Sequence, residues 1–231
     1  MERVLYVVLL LPGTGMLLWL VCEPLAARFA DRPALRVDRL GPVAYGAVLV
    51  AVTVAACAHA GWSATELGLR APSIVGAGLA LVAGLAGGVG AYAGELWFMS
   101  RVHRPATQAA PAVRAARSWL SVRYGFLVLS VLTAVLEEIL WRGFLIRGLR
   151  TELWLGAALA VQAVLFGLNH APFGRRHVIA KAFSGLAWGL LAVLFGAVWA
   201  AIVAHLTFQG LVARRMWRQE VARVTHDPAT V

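Results

Sequence analysis

The chain has 231 residues, 61% of them hydrophobic and only 14% charged, with 21 Lys and Arg against 11 Asp and Glu. An ordinary soluble domain carries about a quarter charged residues, so this composition excludes one and indicates an integral membrane protein. The formal charge of +10 does not indicate nucleic acid, because the basic residues form no patch and lie between apolar segments, where membrane proteins keep their topology signals.

Seven apolar segments can be drawn, each near the roughly 20 residues that a spanning helix needs. They are Val4–Val21, Pro42–Ala60, Ile74–Met99, Trp119–Leu149, Leu153–His170, Val178–Phe195 and Ala197–Val212. The expected fold is an all-α polytopic membrane bundle of about seven (seven to eight) transmembrane helices. It forms a single integral membrane domain over residues 1–231, with a cytoplasmic tail at 213–231. The first segment has a charged start and an apolar core, but "LWLVCEP" lacks the small-residue cleavage pattern, so a retained anchor is expected. The third is glycine-rich, which favours close helix packing in lipid. The fourth is too long for one perpendicular span and must tilt or project from the membrane. Cys22 and Cys57 are too few for a disulfide framework.

Orientation follows from the arginines and lysines. Sixteen of the 21 fall on one set of alternating sides. These are Arg28, Arg32, Arg36 and Arg39; Arg101, Arg104, Arg114, Arg117 and Arg123; Arg175, Arg176 and Lys181; and Arg214, Arg215, Arg218 and Arg223. The other set holds only Arg3, Arg70, Arg142, Arg147 and Arg150. The positive-inside rule then puts the amino terminus outside and the carboxyl terminus in the cytoplasm.

An ionisable group within a span costs several kcal/mol and is a functional candidate by default. Glu137, Glu138, His170 and His205 stand out; Glu95 is a weaker fifth, because it lies close to Arg101 and the interface. Glu138 and Arg142 have the i,i+4 spacing of a helical ion pair, and a structural couple is the plainer explanation of both. Glu137 points about 100° away around the helix and has no local cation, so it needs another reason to exist. His59 sits at a span end, while His103, His177 and His226 fall in loops or the tail.

Depth brings three of these groups together. Helices four and five read as a hairpin with its tip near Arg150–Glu152. Glu137 and His170 then lie roughly 21 Å and 28 Å from the tip at 1.5 Å per residue, within one to two turns of the same level. His205 lies roughly 14 Å from the cytoplasmic end of the last span. Phe166 can pack beside His170 four residues on, and His205 with Gln209 presents two polar groups on one face. The plainer role for that last pair is an interhelical hydrogen bond.

A carboxylate and a neutral imidazole can jointly hold and deprotonate a water for attack on an amide. A second polar pair facing the same spot can donate to the developing oxyanion. No H-E-x-x-H zinc motif and no G-x-S-x-G nucleophile elbow is present. No cofactor is assigned. Zinc on Glu137, His170 and His205 stays open, since three ligands with a free position suit a catalytic metal and spacing alone does not separate it from a directly held water.

These residues resemble the CAAX protease and bacteriocin-processing (CPBP, or Abi) family of intramembrane proteases. "EEILWR" (Glu137–Arg142) matches its EExxxR motif and "FGLNH" (Phe166–His170) its FxxxH motif. "FSGLAWG" (Phe183–Gly189) resembles the small-residue stretch that follows, and "HLTFQ" (His205–Gln209) the last motif, usually HxxxN. The resemblance spans about residues 119–212, a CPBP-like catalytic core with motifs in the family's order. It implies that Glu137 and His170 activate the water and that His205 and Gln209 form the oxyanion hole, with Glu138, Arg142 and Phe166 in support. Gln209 departs from the usual Asn by one methylene and keeps the donor.

The implied activity is that of a glutamic-type intramembrane endopeptidase acting on a membrane protein or peptide. The implied surroundings are the lipid bilayer, without nucleic acid; no oligomeric state is assigned. A composition rich in Ala, Val, Leu, Gly and Arg points to a GC-rich bacterial genome and hence the inner (cytoplasmic) membrane. The alternatives are a non-catalytic membrane immunity or scaffold protein, and a transporter using the buried Glu and His set.

Overall fold

The computed structural model describes residues 37–70, 73–102 and 123–226; every regular element among them is helical. In chain order these are α1 (Val37–Ala60), α2 (Ile74–Arg101), α3 (Arg123–Glu138), α4 (Leu155–Asn169), α5 (Arg175–Phe195) and α6 (Trp199–His226). α3 runs on unbroken through a π-helical segment, Ile139–Leu145, into a last α-helical turn, Ile146–Leu149, and a short 3-10 turn, Ala171–Phe173, links α4 to α5. The expected first span Val4–Val21, His103 and the arginines at 28, 32, 36, 104, 114 and 117 lie outside the described residues.

Two of these helices are long and apolar enough to cross a bilayer: α2 and α5, with mean hydropathies of 2.0 and 1.9 over their best 18 residues. α1 and α4 carry the shorter apolar stretches Val43–Ala58 and Leu155–Asn169. On α2 the large apolar side chains point outward: Val75 is 73% exposed and Val82 66%, with Leu79, Leu85 and Val89 beside them. Such a continuous exposed apolar face would be a liability in water and is the ordinary condition of a helix in lipid. Its inward face is Ala80, Gly84 and Gly88. A Cβ on Gly84 would lie 2.6 Å from Val203 Cβ and 2.7 Å from Ala200 O, so the glycines let α2 and α6 touch backbone to backbone.

The long fourth segment contains the π-helical stretch Ile139–Leu145 between its α-helical parts. A connecting loop presses against it. Gly143 has Leu67 O where a Cβ would sit, 2.6 Å away, and Leu67 is buried. Gly68 takes a positive φ of 73° and its carbonyl accepts from Val198 N at 3.1 Å, pinning the loop to the start of α6. Ser63 and Glu66 bond reciprocally as in a capping box: Ser63 N donates to Glu66 Oε2 at 2.8 Å and Glu66 N to Ser63 Oγ at 3.3 Å. Those donors hold the Glu66 carboxyl below its ordinary range. Arg147 donates to Glu66 O and lies over the Trp62 ring, 5.7 Å from its centroid.

α6 continues as helix to His226, so residues 213–226 carry on from the last apolar segment as helix. His177 lies in the first turn of α5, not in a loop as its place between apolar segments implied.

Candidate functional site

The site forms where α3 and its π-helical continuation meet α4, α5 and α6. Glu137 and Glu138 close the α-helical part of α3, and both are buried. Adjacent residues on a helix face different neighbours, and the two carboxylates do so here. Glu138 has no exposed side-chain surface and takes Arg142 Nη1 at 3.0 Å on Oε1, the i,i+4 pair its spacing indicates, with Arg142 equally buried. The guanidinium also donates to Gly185 O at 3.3 Å and lies over the Phe166 ring at 4.3 Å and the Trp188 ring at 5.5 Å. Glycine at 185 allows this, since a Cβ there would meet Phe166 Cδ1 at 3.0 Å and Ala163 Cα at 3.3 Å. The small residues of "FSGLAWG" thus let α4, α5 and the arginine close on one another.

Glu138 has a second partner that its pairing with Arg142 does not imply. The same Oε1 receives His205 Nδ1 at 2.8 Å from α6. Since a carboxylate oxygen only accepts, Nδ1 is the protonated ring nitrogen and Nε2 faces the site. Nε2 lies 3.8 Å from Glu137 Oε2, beyond hydrogen-bond reach, and 3.3 Å from the Gln209 amide nitrogen, which donates to it. The Trp188 ring packs against the imidazole with centroids 4.5 Å apart. His205 and Gln209 therefore do share one helix face, and in this state the amide is turned onto the ring.

His170 stands at the end of α4, as the capping residue. Its Nδ1 lies 2.9 Å from Phe166 O, a carbonyl that can only accept, so Nδ1 carries the proton and Nε2 the lone pair. The Phe166 ring is 4.8 Å from the imidazole and 6.2 Å from that of His205, so one aromatic side chain separates the two histidines. The four-residue spacing of Phe166 and His170 thus produces both the ring contact and the tautomer.

Glu137 is not left without partners. Tyr45, from α1, donates its hydroxyl to Glu137 Oε1, and Asn169 Nδ2 donates to the same Tyr45 oxygen at 2.9 Å. The sequence reading missed both. Asn169 had a signal, being a carboxamide beside His170 inside an apolar run; Tyr45, 92 residues from Glu137, had none.

Glu95 does not run to Arg101 at the interface. It takes Lys181 Nζ at 2.8 Å and His177 Nδ1 at 3.3 Å from α5, and the ammonium lies 3.6 Å from the centroid of the Phe208 ring. Among the described residues, no three His, Cys, Asp or Glu side chains are gathered so as to hold a metal ion.

The family model described as Rce1-like, type II CAAX prenyl endopeptidase, matches residues 119–211. The CAAX protease resemblance holds for this segment. No curated protein and no solved structure gives a significant match. The matched segment contains Glu137, Glu138, Arg142, Phe166, His170, His205 and Gln209, and the family it resembles is one of endopeptidases. Tyr45 and Glu95 reach the same bundle from helices that precede it.

Proposed function

We propose that the protein is an intramembrane endopeptidase in which Glu137 and His170 activate a water against a peptide bond of a membrane-associated substrate. The observation that carries this reading is the convergence of Glu137, Glu138, Arg142 and His205 at the buried centre of an apolar bundle, within a segment of a peptidase family. Buried charge of this kind is retained against a cost of several kcal/mol, and a chemical role accounts for it.

In the proposed reaction the water oxygen bonds to the carbonyl carbon while Glu137 takes a proton, and the lone pair on His170 Nε2 holds the water in place. The oxyanion forms on the side of His205 and Gln209. Glu138 keeps His205 Nδ1 occupied, so the edge turned to the substrate is Nε2. The proton taken from the water passes from Glu137 to Nε2, which makes that edge a donor and releases the Gln209 amide to turn onto the oxyanion. The carbon–nitrogen bond then breaks as the departing amine takes that proton, returned through Glu137, and the oxyanion collapses to the carbonyl of the new carboxyl group. The reading is metal-free, and 1,10-phenanthroline should leave the activity intact.

The substrate class proposed is a membrane protein or a membrane-anchored peptide, cut near the inner half of the bilayer. The setting proposed is a bacterial inner membrane, with seven spans and the carboxyl terminus in the cytoplasm; the arginine distribution supports that orientation. The test compares protein termini by mass spectrometry in cells carrying the native protein or Glu137→Gln at equal membrane amounts. Termini found only with the native protein support the proposal, and identical termini move the weight to a scaffold. Solute or proton flux in vesicles, unaffected by peptide substrate, would favour a transporter.

A further inference from the structure

The hydrogen bond between Tyr45 and Glu137 joins a helix outside the family segment to the proposed base. We infer that Tyr45 is a positioning residue of the catalytic carboxylate, and that it works in line with Asn169. This rests on the proposed role of Glu137.

The chemistry of the three side chains allows one arrangement. Glu137 Oε1 accepts from the Tyr45 hydroxyl, which is thereby committed as a donor. The lone pairs of that hydroxyl remain, and Asn169 Nδ2 donates to one at 2.9 Å. With Glu137 ionised, as a base must be, its oxygen only accepts and the carboxamide nitrogen only donates, so the row runs from Asn169 to Tyr45 to Glu137. Oε1 is occupied, and Oε2 is the oxygen turned to His205 Nε2 at 3.8 Å.

The row couples two parts of the site. Asn169 is joined through one peptide bond to His170, whose ring is fixed by Phe166 O. Tyr45 therefore ties the carboxylate on α3 to the end of α4 that bears the other proposed water-holding group. A carboxylate on a flexible two-carbon stem has several rotamers. With Oε1 fixed to a ring from α1, one of them is selected. Displacing a reacting group by about 1 Å can cost about a hundredfold in rate.

The position of Tyr45 also bears on which part of the chain the reaction needs. α1 packs on α3 and on the π-helical segment, so the family segment alone lacks one partner of its own base.

The experiment has two arms, both on the purified full chain. The first is a thermal cycle in detergent with Tyr45→Phe, Glu137→Leu and the double variant. Phe keeps the ring and removes only the hydroxyl. The expected result is a lower melting temperature for Tyr45→Phe in the native background and a much smaller change in the Glu137→Leu background, where no acceptor is left for the hydroxyl. Equal changes in both backgrounds would overturn the contact.

The second arm uses vesicles containing a membrane peptide with a cut sequence identified by terminus mapping. Tyr45→Phe is expected to lower kcat about tenfold per folded protein while KM stays within about twofold, as for a group misplaced but not removed. Asn169→Ala is expected to lower kcat by less, and the double variant to fall no further than Tyr45→Phe. A native kcat in Tyr45→Phe, or a loss that only tracks the folded fraction, would overturn the positioning role. Absence of cutting by the native protein would overturn that role together with the role of Glu137, whereas an additive thermal cycle removes the contact alone.

Discussion

Removing the Arg142 guanidinium is the sharpest test of what holds the centre of the bundle. Arg142 and Glu138 have no exposed side-chain surface, and Glu138 Oε1 receives both Arg142 at 3.0 Å and His205 at 2.8 Å. Arg142→Gln takes away the cation, so Glu138 stays buried with its charge uncompensated. Breaking a buried pair from one side costs about 3–5 kcal/mol. Loss of the guanidinium from the Phe166 ring, 4.3 Å away, removes roughly another 1 kcal/mol of cation–π attraction. At about 2–4 °C per kcal/mol for a chain of this length, the melting temperature should fall by about 10–20 °C. Arg142→Lys keeps the charge but cannot serve Glu138 and Gly185 O together while lying flat on Phe166, so it should fall between the two. The assay is thermal unfolding of the purified chain in detergent, followed by tryptophan fluorescence. The double variant Glu138→Gln with Arg142→Gln should lose clearly less than the two single losses combined. A loss under about 1 kcal/mol for Arg142→Gln, or strict additivity, would refute the account of a buried carboxylate whose charge is balanced by the Arg142 guanidinium.

Other expectations follow from neighbouring contacts. Gly84→Val should separate α2 from α6, because Val203 Cβ and Ala200 O already stand 2.6 Å and 2.7 Å from where its Cβ would sit; Gly90→Ala, with nothing within 4 Å, should leave the melting temperature unchanged or raise it. Gly143→Ala should cost about 1–3 kcal/mol by forcing the Leu67 carbonyl away from the π-helical segment, read as a melting shift and faster proteolysis of the 61–70 loop. Gln209→Ala should lower cutting about a hundredfold, as for loss of one oxyanion donor, while Gln209→Asn keeps most of it; kcat in vesicles reads both. Glu95→Leu should destabilise the chain by leaving Lys181 buried without its carboxylate, and Lys181→Met should recover most of the loss in the same thermal assay.

What could be read from the sequence was local. A Glu and an Arg four apart on a helix had to meet if both were buried, and Glu138 meets Arg142. Phe166 and His170 follow the same rule, as do His205 and Gln209. The helix limits were visible because apolar runs end at charges: the run drawn as Ile74–Met99 is the helix Ile74–Arg101, and Val178–Phe195 lies within Arg175–Phe195. Contacts between distant segments were not visible. The Lys181 pairing of Glu95 spans 86 residues, the His205 bond to Glu138 spans 67, and nothing in either local stretch marks the partner. The π-helical turn was also hidden, as was the approach of the Leu67 carbonyl to Gly143 within it, a contact across 76 residues.

The central claim is that this chain itself hydrolyses a peptide bond with Glu137 as the base. The most direct measurement places the purified full chain in lipid vesicles with a membrane peptide carrying a mapped cut sequence, in water enriched in oxygen-18. The account predicts cleavage with one heavy oxygen in the new carboxyl terminus, unchanged by 1,10-phenanthroline and lost in Glu137→Gln at equal folded amounts. Cleavage by Glu137→Gln at the native rate, or no cleavage by the folded native protein, would contradict it.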